Sequence, residues 1–469
     1  MSDTTSVSPT QLRPKSVRNV VRLMTTTYLA TFIWGSPGIS KSAVAKQIAT
    51  EQGIAFVDVR LSMMAPTDVS GMPYRIEENG ETVGVGFTPP KILPRNLALR
   101  KTKTIEAMPT FVSFEASNPL GSNDIRYVTD VKIEVKAINR PGTAPEDMLT
   151  AEIVEQSLTD FTVALVNAKG EYSSGQVFYH ITGDAKALVA FEELNSAPLA
   201  TQQAAYQFIL DRRVGEYIVP DGVRLIAMGN RQTDKGLTFT MPSPLANRFD
   251  HIEMVVNFDD WQEWAIGAMV HPHVIGYLTD NAIDLDQFNA QNASRGFATP
   301  RSWTAVSTIL QAQEAAGEDR KLSPKELLAV ICGAIGDGTG VKFNTFRKLI
   351  DKLPSIADIM AGRVTTLPKE DGENPALAYS LTVSLCYALR MENDRLDAEG
   401  KSVADTGAER EAWYKGFNNI LDFWMKNFAP EVQVMGMRTI LTIHKLPVKN
   451  RAKLPSLITF TKLNSDLIR

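Results

Sequence analysis

One stretch limits what this chain can fold into more than any other: Gly35-Ser36-Pro37-Gly38-Ile39-Ser40-Lys41-Ser42. An apolar run, Tyr28 to Trp34 (YLATFIW), precedes it and predicts a buried strand. Ala43 to Ala49 follows it and predicts a helix. Strand, glycine-rich turn and helix, in that order, make a phosphate-binding loop. The first N–H groups of a helix have no intrahelical partner, so they turn toward an anion, and the helix dipole adds to the attraction. Gly35, Ser36, Pro37, Gly38, Ile39 and Ser40 would form the cradle. Lys41 can reach the β- and γ-phosphates of a nucleotide, and the Ser42 hydroxyl can ligate Mg²⁺. Ser40 stands where a second glycine is usual; it is small and keeps its N–H.

The 469 residues are enough for two or three domains. No apolar stretch approaches the ~20 residues of a membrane span, so no membrane segment is expected. Residues 1–15 are rich in Ser and Thr, lack the apolar centre of a signal peptide, and are expected to be a disordered arm. Cys332 and Cys386, the two cysteines, lie in apolar helical patterns and read as reduced thiols of a cytoplasmic protein. The formal net charge of −4 argues against nucleic acid as the main partner.

Along the chain, Ser16 to Thr27 predicts a helix and Ile54 to Val59 a second strand. Pro66 opens a short helix that Thr67 or Asp68 could cap. Asn79-Gly80, between two alternating runs, predicts a projecting hairpin. From 108 to 182 the pattern changes to short alternating runs separated by turns, which predicts a small antiparallel β module inserted in an α/β core at 16–107 and 183–258. Strands are expected again at Ala187–Phe191, Val223–Met228 and His251–Val256, with a helix from Thr201 to Arg213. Beyond 258 the chain reads as helices: a lid over 259–340 and a C-terminal helical domain over 341–469. Gly336 to Gly340 and Pro368 to Pro375 read as loops with strong breakers. Trp261 and Trp264 read as packing residues of the lid.

Phosphoryl transfer needs positioned charge more than covalent chemistry. The strand ending in Glu192-Glu193 offers two carboxylates, one for the water shell of Mg²⁺ and one to orient or deprotonate an attacking water. Asn230, at the end of the next strand, can hydrogen-bond that water or the γ-phosphate. Arg248 and Arg301 are candidates for neutralising charge in the transition state. For Arg248 a structural ion pair with Asp250 or Asp260 stays open, and Arg301 at a helix start is also compatible with a plain exposed side chain.

With these residues in place the chain resembles the MoxR-type AAA+ ATPases, in the branch often paired with a von Willebrand factor A-like protein. The matching stretches are WGSPGISKS, FVDVRLSMMAPTDVSGMP, FEELNSAPLATQQAAYQFILDRRVGEY, LIAMGNRQTDKG, MPSPLANRFDHIEM and ATPRSW, spanning Tyr28 to about Leu310 around the insert. The resemblance implies a three-layer α/β nucleotide-binding core, with ATP and Mg²⁺ as cofactors. It makes Gly35–Ser42 the Walker A loop, Glu192-Glu193 the Walker B end and Asn230 sensor 1. It makes Arg248 an arginine finger acting on a neighbouring subunit, Arg301 sensor 2, and the hairpin at Asn79-Gly80 a pore-facing insert. Glu192 departs from the usual aspartate, and the 108–182 module is longer than such proteins carry there. The expected function is a ring-forming, hexameric, ATP-driven remodelling or chaperone ATPase acting on a protein client. A nucleotide-gated scaffold with little hydrolysis and a DNA-acting motor are the rival classes.

Overall fold

A computed structural model describes residues 8–79, 81–88, 92–114, 127–214, 217–234, 238–291, 295–400, 407–448 and 451–464. The chain divides into two compact units, one of residues 1–36 and 41–255, the other of 37–40 and 256–469.

The first unit opens with β1 (Gln11–Leu12), α1 (Pro14–Met24), β2 (Ala30–Trp34), α2 (Lys41–Glu51), β3 (Ala55–Arg60) and α3 (Pro66–Ser70). A hairpin of β4 (Pro73–Glu78) and β5 (Glu81–Phe87) follows. The insert comprises β6 (Leu97–Ile105), β7 (Thr110–Ser113), β8 (Val128–Ile138), β9 (Thr150–Gln156), β10 (Asp160–Val166) and β11 (Gly175–Ala185). The core resumes with β12 (Ala187–Glu192) and α4 (Leu199–Asp211), and the short pair β13 (Arg213–Val214) and β14 (Tyr217–Ile218). It ends with β15 (Val223–Gly229), α5 (Ser243–Ala246) and β16 (Phe249–Met254).

Six strands form one parallel sheet in the order β1-β16-β2-β15-β12-β3. Five residues of β12, Ala187 to Phe191, are buried in succession, so the sheet is covered on both faces, as a parallel sheet between helical layers requires. Its core includes Phe32, Val57, Phe191, Phe208 and Tyr217. This is the parallel α/β core expected, with the phosphate-loop strand β2 between β16 and β15.

Several local expectations are corrected. Part of the expected disordered arm is structured: Gln11 and Leu12 pair with Glu253 and Met254, and the Gln11 amide donates to Glu253 at 3.1 Å. Met1–Val7 lie outside the described residues. The cap of α3 is Ala65; Asp68, three residues on, folds back to accept its N–H at 2.8 Å. The hairpin strand β4 is exposed throughout, as expected, although Gly80 is outside the described residues. Antiparallel strands begin at Leu97 rather than 108 and end at Ala185 rather than 182. The basic run Arg100 to Lys103 hides the alternation of β6, of which only Leu97, Leu99 and Ile105 are buried.

The second unit is helical: α6 (Phe258–Gly267), α7 (Pro272–Asp280), α8 (Pro300–Ala315), α9 (Pro324–Ile335), α10 (Asp337–Ile350), α11 (Ile356–Met360), α12 (Lys369–Glu373), α13 (Pro375–Ala398), α14 (Ala408–Asn427), α15 (Pro430–Arg438) and α16 (Pro455–Leu463). Among the described residues no helix is long and apolar enough to cross a membrane. Trp261 is buried in this unit, but Trp264 is 39% exposed and so is not a core residue. The loop expected at Gly336–Gly340 shrinks to one residue. Gly336, at φ 86°, ends α9 by donating to the Cys332 carbonyl, and α10 starts at once. Position 340 therefore lies inside α10. Pro368 to Pro375 likewise holds the short helix α12, after which the Asn374 side chain caps α13.

Gly340 has a packing role. A Cβ there would stand 2.6 Å from the Cys332 sulfur and 2.9 Å from its Cα, so α9 and α10 meet through the missing side chain. Gly340→Ala is expected to destabilise the protein by about 1–3 kcal/mol through overpacking, read as a lower urea midpoint, whereas Gly338→Ala, with open space around it, should not.

Candidate functional site

Parallel strands align their carboxyl ends, and register decides which residues meet there. Trp34 of β2 lies opposite Gly229 of β15, so the phosphate loop leaves the sheet beside Asn230. The Lys41 ammonium donates to the carbonyls of Gly35 at 2.7 Å and Ser36 at 3.0 Å, and to Asn230 Oδ1 at 3.1 Å. The helix α2 begins at Lys41, so Ser42 stands in its first turn. Ser40 adopts φ 71° and Gly38 φ 80°. Position 40 thus has the left-handed backbone that favours glycine, at a cost of about 1 kcal/mol for serine.

The strand β12, beside β15, ends at Glu192, which pairs in register with Arg60 of β3. Glu192 Oε1 is buried and has no hydrogen-bond partner. A buried, unpartnered carboxylate oxygen and a hydroxyl are hard oxygen donors of the kind Mg²⁺ takes, so Glu192 and Ser42 fit that ion. Glu193 is exposed, at φ 54°, and its carboxylate accepts the Ser62 hydroxyl at 2.6 Å. The Arg60 guanidinium is held above its ordinary value, first by Asp58 and then by Glu192 and Glu193.

Sequence reasoning missed the residues that hold this end of the sheet together. Asn195, 1% exposed, donates from its amide to the Asn230 carbonyl at 2.7 Å. Gly229 makes room for it, since a Cβ at 229 would collide with Asn195 Oδ1. Arg231 bonds Asp234 at 3.2 Å and Glu253 at 2.9 Å and donates to the Ser36 hydroxyl, tying the phosphate loop to two further elements. His251 accepts the Trp34 indole N–H at Nδ1, 2.9 Å away, while its Nε2 faces the Ala246 carbonyl at 2.8 Å. That geometry fixes the neutral Nε2–H tautomer and links the strand before the phosphate loop to the helix before Arg248. Arg231, Asn195, Ser62 and His251 all lie within the stretches quoted above, Arg231 directly after Asn230, but no local pattern sets the other three apart inside them.

Both candidate arginines have exposed side chains. Arg248 follows α5. Arg301 belongs to the second unit, where its backbone N–H donates to the Gly38 carbonyl at 3.1 Å and its side chain is exposed.

No family model matches the chain, and no curated protein matches it. Among solved structures it is similar to a protein of Cytophaga hutchinsonii assigned provisionally as an ATPase, at 11% identity and TM-score 0.27, covering 97% of this chain and 90% of that one. It is similar also to NtrX of Brucella abortus in complex with ATP, at 11% identity and TM-score 0.30, covering 84% and 70%. NtrX with ADP gives 11% and 0.29, covering 82% and 68%. Likeness at these scores carries no weight here; strand order and the site residues do.

Position 40 offers a direct test of the loop. If its left-handed backbone matters and its hydroxyl does not, Ser40→Gly should hold a fluorescent ATP analogue within about twofold of wild type. Ser40→Val, whose branched side chain resists φ 71°, should bind at least about tenfold more weakly in the same titration.

Proposed function

We propose that this protein binds and hydrolyses ATP as a ring-forming, MoxR-type AAA+ remodelling or chaperone ATPase. It would act in the cytoplasm on a protein client, of the von Willebrand factor A-like kind. The observation that carries the reading is the meeting of Lys41 with Asn230 Oδ1 at 3.1 Å, beside a strand that ends in a buried, unpartnered Glu192 oxygen. Lys41 donates to the neutral carbonyl oxygens of Gly35 and Ser36. A triphosphate offers it charged acceptors instead, and charge-assisted hydrogen bonds are roughly twice as strong as neutral ones.

The reaction assigns each group a part. Lys41 neutralises the β- and γ-phosphates. Glu193, released from Ser62, orients the attacking water and takes its proton. Asn230 would hydrogen-bond that water or the γ-phosphate. Mg²⁺, held by Ser42 and by Glu192 through its water shell, would supply further neutralisation of phosphate charge. Arg248 would complete the site of a neighbouring subunit, and Arg301 would sense the nucleotide. A second reading, a nucleotide-gated scaffold, draws on Glu192: its extra methylene relative to aspartate shifts the carboxylate, and a misplacement near 1 Å can cost on the order of 10²-fold in rate.

Lys41→Ala should abolish ATP binding without unfolding the protein, checked by titration and melting. Glu193→Gln should bind ATP and lose hydrolysis in single-turnover phosphate release. Wild-type turnover too slow to measure would favour the scaffold, and wild-type turnover in Glu193→Gln would remove Glu193 as the base.

The trans role of Arg248 predicts that turnover per subunit rises with protein concentration. A charge stabiliser supplied in trans is worth ~10³ or more in rate. Inactive Arg248→Ala mixed with inactive Lys41→Ala should therefore recover activity through mixed interfaces, measured by steady-state phosphate release.

A further inference from the structure

The proposed chemistry uses no residue of the antiparallel insert, yet the insert carries unlike charge on its two outer faces. Its sheet β6-β11-β8 aligns Arg100, His180 and Glu134 in one cross-strand row. Thr102, Phe178 and Lys136 form the next row, and Ala98, Thr182 and Lys132 a third. Residues two apart along a strand share a face, so these three rows lie side by side. Arg100, Lys132 and Lys136 are exposed, with Phe178 and His180 half-buried between them. Val177, Tyr179 and Ile181 point the other way, into the core of the insert. Glu134 and Asp184 are exposed carboxylates on the same face, while Asp130 is bound by Lys186 at 2.6 Å.

The sheet β7-β10-β9 contributes Phe161, Val163 and Leu165 to the same core, so its outer face looks away from the first. There Thr162 lies between Phe111 and Glu155, and Glu152 lies opposite Ala164. Glu152 and Glu155 are exposed, and Phe111 and Val154 are each 58% exposed. The three strands of this sheet contain no lysine or arginine. One module thus presents a mixed face on which the cations Arg100, Lys132 and Lys136 outnumber the carboxylates Glu134 and Asp184, and an acidic face without cations, each with apolar surface among its charges.

We propose that these faces dock on each other between neighbouring copies of this chain, Arg100, Lys132 and Lys136 of one insert against Glu152 and Glu155 of the next. A second copy fits both faces at once, by charge. Nucleic acid would fit the cation-rich face alone. The contact joins two different patches, so it is heterologous, and such contacts close into rings when the rotation permits. The inference rests on the ring-forming reading above and names a contact that holds the ring. Exposed charges are screened by salt, so the contact weakens as ionic strength rises.

The test uses the full chain with ATP in sedimentation velocity at about 50 mM salt, where the Debye length is longest among practical buffers. Lys132→Glu with Lys136→Glu makes both faces acidic; Glu152→Lys with Glu155→Lys makes both basic. Each double variant alone should associate at least about 100-fold more weakly, because like charges then meet. An equimolar mixture should recover assembly, since every contact again pairs opposite charges. Unchanged melting temperature and ATP-analogue affinity show that both variants fold. Assembly unchanged by either reversal, or not recovered by mixing folded variants, overturns this contact and leaves the ring standing. A wild type that stays monomeric with ATP removes the ring reading and this contact with it. Binding of a labelled single-stranded oligonucleotide that the acidic variant loses, with assembly unaffected, overturns the contact in favour of nucleic acid.

Discussion

The bond from the Lys41 ammonium to Asn230 Oδ1 joins the phosphate loop to the end of the neighbouring strand, and the site depends on it. It exists because β2 and β15 run parallel in a register that sets Trp34 beside Gly229. A shift by one residue would turn Asn230 to the other face of the sheet and leave Lys41 without that acceptor. Burial on both faces of the sheet holds the register, with Phe32, Ile33, Leu188, Val189 and Phe191 nearly inaccessible to water.

Around that bond is a shell of polar residues with different tasks. Asn195 fixes the backbone of Asn230 from below, and Arg231 fixes Ser36 in the loop. His251 ties the strand before the loop to the helix before Arg248. Asn195 is buried and Arg231 and His251 are half-buried, where a hydrogen bond lost would cost more than it would at the surface. Glu192 differs from them. Its buried oxygen has no partner, an arrangement that is unfavourable unless an ion or bound water completes it. The shell is rigid where the loop must be held and unsatisfied where a cation fits.

The long insert leaves the parallel sheet undisturbed for a simple reason. Leu97, near its entry, pairs with Gly183, near its exit, so the chain leaves and returns side by side. An insertion whose ends are already together costs the host fold little. Its own core, with Phe161, Tyr179 and Ile181, gives it independent packing. Its surfaces are therefore free to carry charge, and the excess on its two faces is of opposite sign.

The sequence alone determined what short-range chemistry can determine. The phosphate loop, the apolar strands, the Asn79 hairpin and the alternating runs of the insert are each written in adjacent residues, because periodicity and glycine placement act locally. Glu192, Glu193 and Asn230 could be named because each stands where an apolar run stops. Tertiary structure decided the rest. Which strand lies beside which is set by burial across the sheet, and only that order brings Asn230 to Lys41. Asn195, Arg231 and His251 acquire their tasks from partners 35, 195 and 217 positions away, a separation no local pattern encodes. The expected break at Gly336–Gly340 failed for the same reason. Glycine at 340 looks like a helix breaker in sequence, yet in the fold it is the contact that lets α10 lie against Cys332.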